Sequence, residues 1–213
     1  MALVGAQAPA GTLEIVKMTF QREVEARIAT FKDCLIKEGV EQALTAYVLQ
    51  HGSSVLGAEM EGKLRTTIAE RWEIDGASVF LVGSAKLGFS PKPGQYFKAF
   101  SASSDIDIAI VSSDLYATIW REVQQMYSAG EYFDFDAFKH YHLAGWIRPD
   151  KMPSQNIYRR CREWWDYFRE LSSREDLTRT KIRAGLYYSE YFLRHYQLGG
   201  LNNMREHLIA GKT

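Results

Sequence analysis

Two runs decide the fold: Ser78-Val79-Phe80-Leu81-Val82-Gly83-Ser84 and Asp105-Ile106-Asp107-Ile108-Ala109-Ile110-Val111. The first is a short, continuous apolar stretch that stops abruptly at Gly83-Ser84, the pattern of a strand buried on both faces. In the second, two Asp and an Ala alternate with three Ile, a period of two and hence a second strand. A loop rich in Ser, Gly, Pro and aromatic residues, from about Gly88 to Ser104, separates them. Ser112 or Ser113 is placed to cap a following helix, with Leu115, Ile119, Val123 and Tyr127 along its apolar face.

Outward from this pair the texture is helical. Upstream, Leu13, Val16, Phe20, Val24, Ile28, Phe31 and Leu35 fall at three-and-four spacing, and Gly39 supplies a stop. A shorter helix is expected from about Val40, and another carries Met60, Leu64, Ile68 and Trp72. The small and Gly/Pro-containing start of the chain is expected to fray. Downstream, Tyr132 to Asp136 and His140 to Ile147 both alternate, and one of them is expected to complete the sheet. Beyond Pro149, Ile157, Cys161, Trp164, Phe168 and Leu171 predict a helix. A second is predicted to carry Leu177, Ile182, Leu186 and Phe192 and to end at Gly199-Gly200, with a short last helix over about 202–209. The expected class is α+β: a small mixed sheet at about residues 78–147, flanked by N-terminal and C-terminal helices. The segments are 1–76, helical; 77–150, the core; and 151–213, helices packed on it.

Composition bounds the function. The chain has 26 basic and 26 acidic residues, 46% hydrophobic and 13% aromatic residues, far from the disordered class. Zero net charge disfavours a high-affinity, non-specific nucleic-acid binder, although residues 151–213 hold 12 Lys/Arg against 7 Asp/Glu. Cys34 and Cys161 match no metal-ligand spacing and fit a reducing compartment. The start of the chain lacks the pattern of a secretion signal, and no apolar run is long enough to span a bilayer. A cytoplasmic protein without a membrane partner is expected.

The chemistry is read from the same two runs. Side chains two apart on a strand share a face, so Asp105 and Asp107 aim both carboxylates at one place. Such a pair repels unless a cation lies between. Mg²⁺, as one ion or two, suits it: it takes oxygen ligands and completes its shell with water and substrate phosphates. Gly83 lets a backbone turn approach a phosphate closely, and its neighbouring N–H groups and the Ser84 hydroxyl would bind the anion. Lys86 and Gly88 stand where a neutralising charge and a second flexible point would serve. His140 and His142 would share a face on a strand, without an evident third ligand. Trp164-Trp165 with Tyr167 and Phe168 reads as a core-facing helix.

The pattern VFLVGSAKLG…SDIDIAIV resembles the signature of the polymerase-beta-type nucleotidyltransferase superfamily, over roughly residues 78–111. That resemblance implies Mg²⁺-dependent transfer of a nucleoside monophosphate from an NTP, ATP by default, to an acceptor hydroxyl. It makes Asp105 and Asp107 the metal ligands and Gly83 and Ser84 the holders of the triphosphate. The acceptor is open: a small molecule, a protein, an RNA end or a second nucleotide. Two departures stand out. Gly83 and Asp105 are 22 positions apart, a long spacing, so Phe89 to Lys98 reads either as a lid whose aromatics stack on a base or as a surface loop. The superfamily's third carboxylate, on a later strand, would be Asp134 or Asp136. If the later strand is His140–Ile147, there is none, leaving His140 or His142 or a degenerate site that binds nucleotide or a protein partner. On the expected C-terminal helix, Lys181 or Arg183 would touch phosphate.

Overall fold

The two runs pair with each other as antiparallel strands, and what joins them comes from a distant part of the chain. The computed structural model describes residues 10–49, 52–153, 158–178 and 180–211. Its four strands are β1 (Val79–Val82), β2 (Ile106–Val111), β3 (Trp146–Ile147) and β4 (Ile182–Tyr187), arranged β1-β2-β4-β3. β1 and β2 run antiparallel, from Val82 opposite Asp107 to Val79 opposite Ile110. β2 and β4 run parallel, from Ile106 beside Ile182 to Val111 beside Tyr187. The two-residue β3 closes the far edge antiparallel to β4. The molecule is a mixed α+β protein, with helices on both faces of a mixed sheet.

The sheet therefore extends beyond the expected 78–147, and the helix expected across Ile182 and Leu186 is largely a strand. Its alternation explains this: Ile182, Ala184 and Leu186 are buried, while Arg183 points out. The expected strand at Tyr132–Asp136 is a helix start. Helix α6 (Phe135–Leu143) begins there, with Asp134 as its cap accepting from Ala137 N at 3.1 Å. Phe133, just before the cap, packs on Phe138 four positions into the helix, the hydrophobic staple of a helix N-terminus. Residues around a cap alternate without being a strand. Of His140–Ile147, only Trp146–Ile147 is extended.

The other helices are α1 (Ala10–Asp33), α2 (Val40–Ala43), α3 (Gly57–Trp72), α4 (Gly83–Leu87), α5 (Ser113–Ser128), α7 (Arg159–Ser173) and α8 (Glu190–Ile209). The backbone widens to π-type bonding over Cys34–Glu38 and Leu44–Leu49, and Gly39 separates the first of these from α2. The expected N-terminal fraying and Ile157 fall largely outside the described residues. α5 is capped by Ser112, as expected, but buries Tyr116, Ile119, Val123 and Met126, and Tyr127 is exposed. α8 runs straight through Gly199-Gly200. Burial of Leu193, Leu201 and Met204 on one stripe outweighs a glycine penalty of about 1 kcal/mol each.

Two cores follow from the period of the strands. Ile106, Ile108 and Ile110, with Val79, Leu81, Ile182 and Leu186, face α3, α5 and α7. Each fully buried Ile contributes on the order of 2–3 kcal/mol. Val82, Ala109 and Tyr187 face the opposite way, against Phe31, Leu35, Leu44, Leu193 and Met204 from the N-terminal helices and α8. Asp107 belongs to this second face, at its β1-exit end. Among the described residues, no helix is long and apolar enough to cross a membrane.

The turn from α6 into β3 is the tightest point. Gly145 has φ +68°, and a Cβ there would lie 2.1 Å from the Phe192 ring. Gly145→Ala is expected to cost about 2–4 kcal/mol. Gly199→Ala, where a Cβ meets nothing within 4 Å, is expected to add about 0.5–1 kcal/mol. Urea midpoints of the two variants, moving in opposite directions, check both.

Candidate active site

A five-residue helix is too short to persist on its own, yet α4 carries the Gly83-Ser84 turn. Its stability comes from its C-terminal end, where four carbonyls lack partners within the helix. All four are satisfied from elsewhere. Ser84 O accepts from Gly88 N at 2.9 Å, and Ala85 O from the Ser53 hydroxyl at 2.8 Å. Lys86 O accepts from Ser54 N at 3.2 Å and from its hydroxyl at 2.9 Å. Leu87 O accepts from Arg27 Nε at 2.9 Å. α1 and the 53–54 turn thus hold the helix from behind, and its N-terminal end faces β2.

Gly83 opens that end with φ +66°, and a Cβ on it would lie 2.7 Å from Asp107 Oδ2. Only glycine lets the Asp107 carboxylate stand this close to the turn. The acid pair and the Gly-Ser turn therefore share one end of the sheet. Burial and the neighbouring Asp105 carboxylate push the Asp107 carboxyl up to about 6, against the opposing pull of Arg183. Asp107 also acts on Tyr187 and Tyr196, whose hydroxyls lie above their ordinary range mainly through burial.

Arg183 is the residue that sequence reasoning misplaced. It stands on β4 beside Asp107 in parallel register, and its Nε lies 2.8 Å from Asp105 Oδ2. The signal was available in the alternation of Lys181-Ile182-Arg183-Ala184-Gly185-Leu186, but the partner strand was not. Lys181, exposed, lends only its carbonyl here, to Ile106 N at 2.8 Å.

The remaining candidates lie apart. Lys86, expected at the phosphate, is turned into the interior at 3% exposure. Its ammonium is 3.9 Å from Glu61 Oε1, and burial lowers its pKa. Glu61 also accepts from Ser53 N, so Lys86 belongs to the brace behind α4. Asp134 caps α6, and Asp136 is an exposed first-turn residue 3.5 Å from Lys139. Both belong to that helix and not to a strand beside β2. His140 is exposed, whereas His142 stacks on Tyr116 and Phe138, its Nδ1 2.8 Å from the Tyr116 hydroxyl. Helical geometry points the two imidazoles in different directions. In the 88–104 loop, Phe89 is fully buried against Phe31, Tyr96 packs on His207, and Lys32 lies over Phe97. Its aromatics are anchored inward.

Asp105 and Asp107 supply two carboxylates, and among the described residues no group of three His, Cys, Asp or Glu side chains converges. Two carboxylates fit one Mg²⁺ that takes its other ligands from phosphate and water. The acid pair lines neither of two surface clefts. One, of about 250 Å³, lies among Arg71, Arg162, Glu163 and Asp166, and one of about 440 Å³ lies at the opposite end of the sheet, by Ser78, Ser112 and Ser189. Comparison of the chain with protein-family models, curated proteins and solved structures gave no match.

The raised Asp107 carboxyl has a sign. Its folded value, about 6, lies above the ordinary 3.8, so the native state binds the proton more tightly and stability falls as pH rises between the two. Asp107→Asn removes that slope. In the absence of metal it is expected to be more stable than wild type by roughly 2–3 kcal/mol at pH 8, with the difference vanishing near pH 4. Urea unfolding across that range with a chelator present checks it.

Proposed function

We propose that this chain binds a nucleoside triphosphate with Mg²⁺ at Asp105 and Asp107 and transfers the nucleoside monophosphate to an acceptor hydroxyl. The observation that carries the reading is the position of Gly83 under the Asp107 carboxylate. It joins an anion-binding turn to a cation-demanding acid pair at one end of the sheet. Mg²⁺ bound there would neutralise the phosphates and polarise the phosphorus under attack. The chain's own contribution is orientation. The N–H groups of the Gly83-Ser84 turn and the Ser84 hydroxyl hold the terminal phosphates. β2 fixes the two carboxylates from behind through Ile106 and Ile108, both buried. As the acceptor oxygen forms its bond to the α-phosphorus from the opposite side, the bond to pyrophosphate breaks, pyrophosphate leaves toward the turn, and the acceptor proton passes to solvent.

A second reading is favoured by one observation: β4 places Arg183, not a carboxylate, beside Asp107. In the superfamily that residues 78–111 resemble, a third acid on a later strand serves as base toward the acceptor. A module of this kind lacking that acid binds nucleotide without transferring it.

Thermal melting with each NTP, with and without Mg²⁺, separates these readings when coupled to a pyrophosphate-release assay. The transferase shows a metal-dependent rise in Tm, by linkage, together with pyrophosphate release. Asp105→Ala is expected to abolish both. With each acceptor class supplied in turn (small-molecule hydroxyls, protein, RNA ends and a second nucleotide), a shift without pyrophosphate from any of them favours the binding module, and no shift with any NTP removes both readings.

A further inference from the structure

The Asp105–Arg183 pair is the feature the proposed reaction does not itself require, and its geometry is specific. Arg183 Nε lies 2.8 Å from Asp105 Oδ2, from a side chain that is 56% exposed, while Asp105 is 26% exposed. A guanidinium has five N–H donors in a planar fork, more than one carboxylate can take, and at 56% side-chain exposure this one can face a second anion. Arg183 is held in place by β4, whose neighbours Ile182 and Ala184 are buried. Such a cation, fixed in a strand beside two carboxylates, opposes a bare divalent ion, because the metal must compete with it for Asp105. It has the reverse effect on a metal-bound polyphosphate, whose oxygens offer the guanidinium a bidentate, charge-assisted partner.

Resting on the nucleotide-binding reading above, we propose that Arg183 is a latch coupling the two ligands. It holds Asp105 in the free chain and passes to the phosphate oxygens when a metal-bound nucleoside polyphosphate enters, so that Asp105 is released to the metal only when polyphosphate is present. No bond is made or broken; one ion pair is exchanged for another. The coupling is reciprocal, as linkage requires: metal strengthens polyphosphate binding, and polyphosphate strengthens metal binding.

Two titrations of the full chain test this. One uses Mn²⁺ alone, and the other uses the non-hydrolysable α,β-methylene analogue of each NTP in saturating Mg²⁺. Arg183→Met, similar in length and uncharged, is expected to tighten Mn²⁺ alone by several-fold and to weaken the Mg²⁺–nucleotide analogue ~10–100-fold, the worth of a charge-assisted contact. Arg183→Lys, which keeps the charge but loses the fork, is expected to fall between wild type and Met on both scales. Pyrophosphate with Mg²⁺ should lose affinity in parallel with the analogue, and the nucleoside monophosphate should not. A residue of purely structural value would weaken both ligands together with Tm, and that result overturns the latch. So does unchanged nucleotide binding in Arg183→Met. A wild-type chain that binds neither Mn²⁺ nor any analogue removes the nucleotide-site reading itself. Wild type that binds both, with the variants failing to split them, removes only the latch.

Discussion

The capping of α4 is the constraint on which the rest of the candidate site depends. Five residues cannot hold a helix by their own hydrogen bonds. Arg27, Ser53 and Ser54 supply the missing donors to Ala85, Lys86 and Leu87. The buried Lys86–Glu61 pair ties the same helix to α3. A buried ion pair of this kind contributes little net stability, because desolvation offsets attraction. Its effect is positional, fixing where the first turn of α4 faces. The N-terminal helices are thus part of the machinery that aims Gly83-Ser84 at Asp107.

The sheet divides its labour by face. Its isoleucine face packs on α3, α5 and α7 and anchors β2 along its length. Its other face carries Asp107 at one end and the aromatic cluster of Trp146, Tyr187 and Tyr196 further along. An ionised carboxylate on a largely apolar face is energetically uphill, which is why its proton affinity rises. Unfavourable placement of this kind is common where a ligand completes the electrostatics.

Much of this was legible in the residues. The strand–Gly-Ser–strand core was readable because its apolar run and its period of two are unambiguous. α3 and α7 were readable because Leu64, Ile68 and Trp72, and Cys161, Trp164, Phe168 and Leu171, repeat at helical spacing. β4 was missed because Ile182 and Leu186 also suit a helix, and nothing local to residues 182–187 names β2 as their partner. α6 was missed because Phe133-Asp134-Phe135-Asp136 alternates as a staple and cap as well as it would in a strand. The burial of Lys86 depends on Glu61, on another helix, and such pairings are invisible to periodicity. Arg183 became a neighbour of the acid pair only through register, a property of two strands together.

The sheet order β1-β2-β4-β3 has a consequence for how the chain is made. Residue 182 follows its parallel neighbour, residue 106, by 76 positions. While the polypeptide leaves the ribosome, the β1–β2 hairpin emerges with one edge bare, and that edge waits for β4. Long-range parallel pairing is slow, and an uncovered edge invites association with other nascent chains. The acid pair thus acquires its arginine neighbour only once residue 183 has been made. A ribosome-bound fragment that stops short of β4 holds the two carboxylates beside the Gly83 turn without their cation, so the electrostatic character of this corner is set only when β4 joins the sheet.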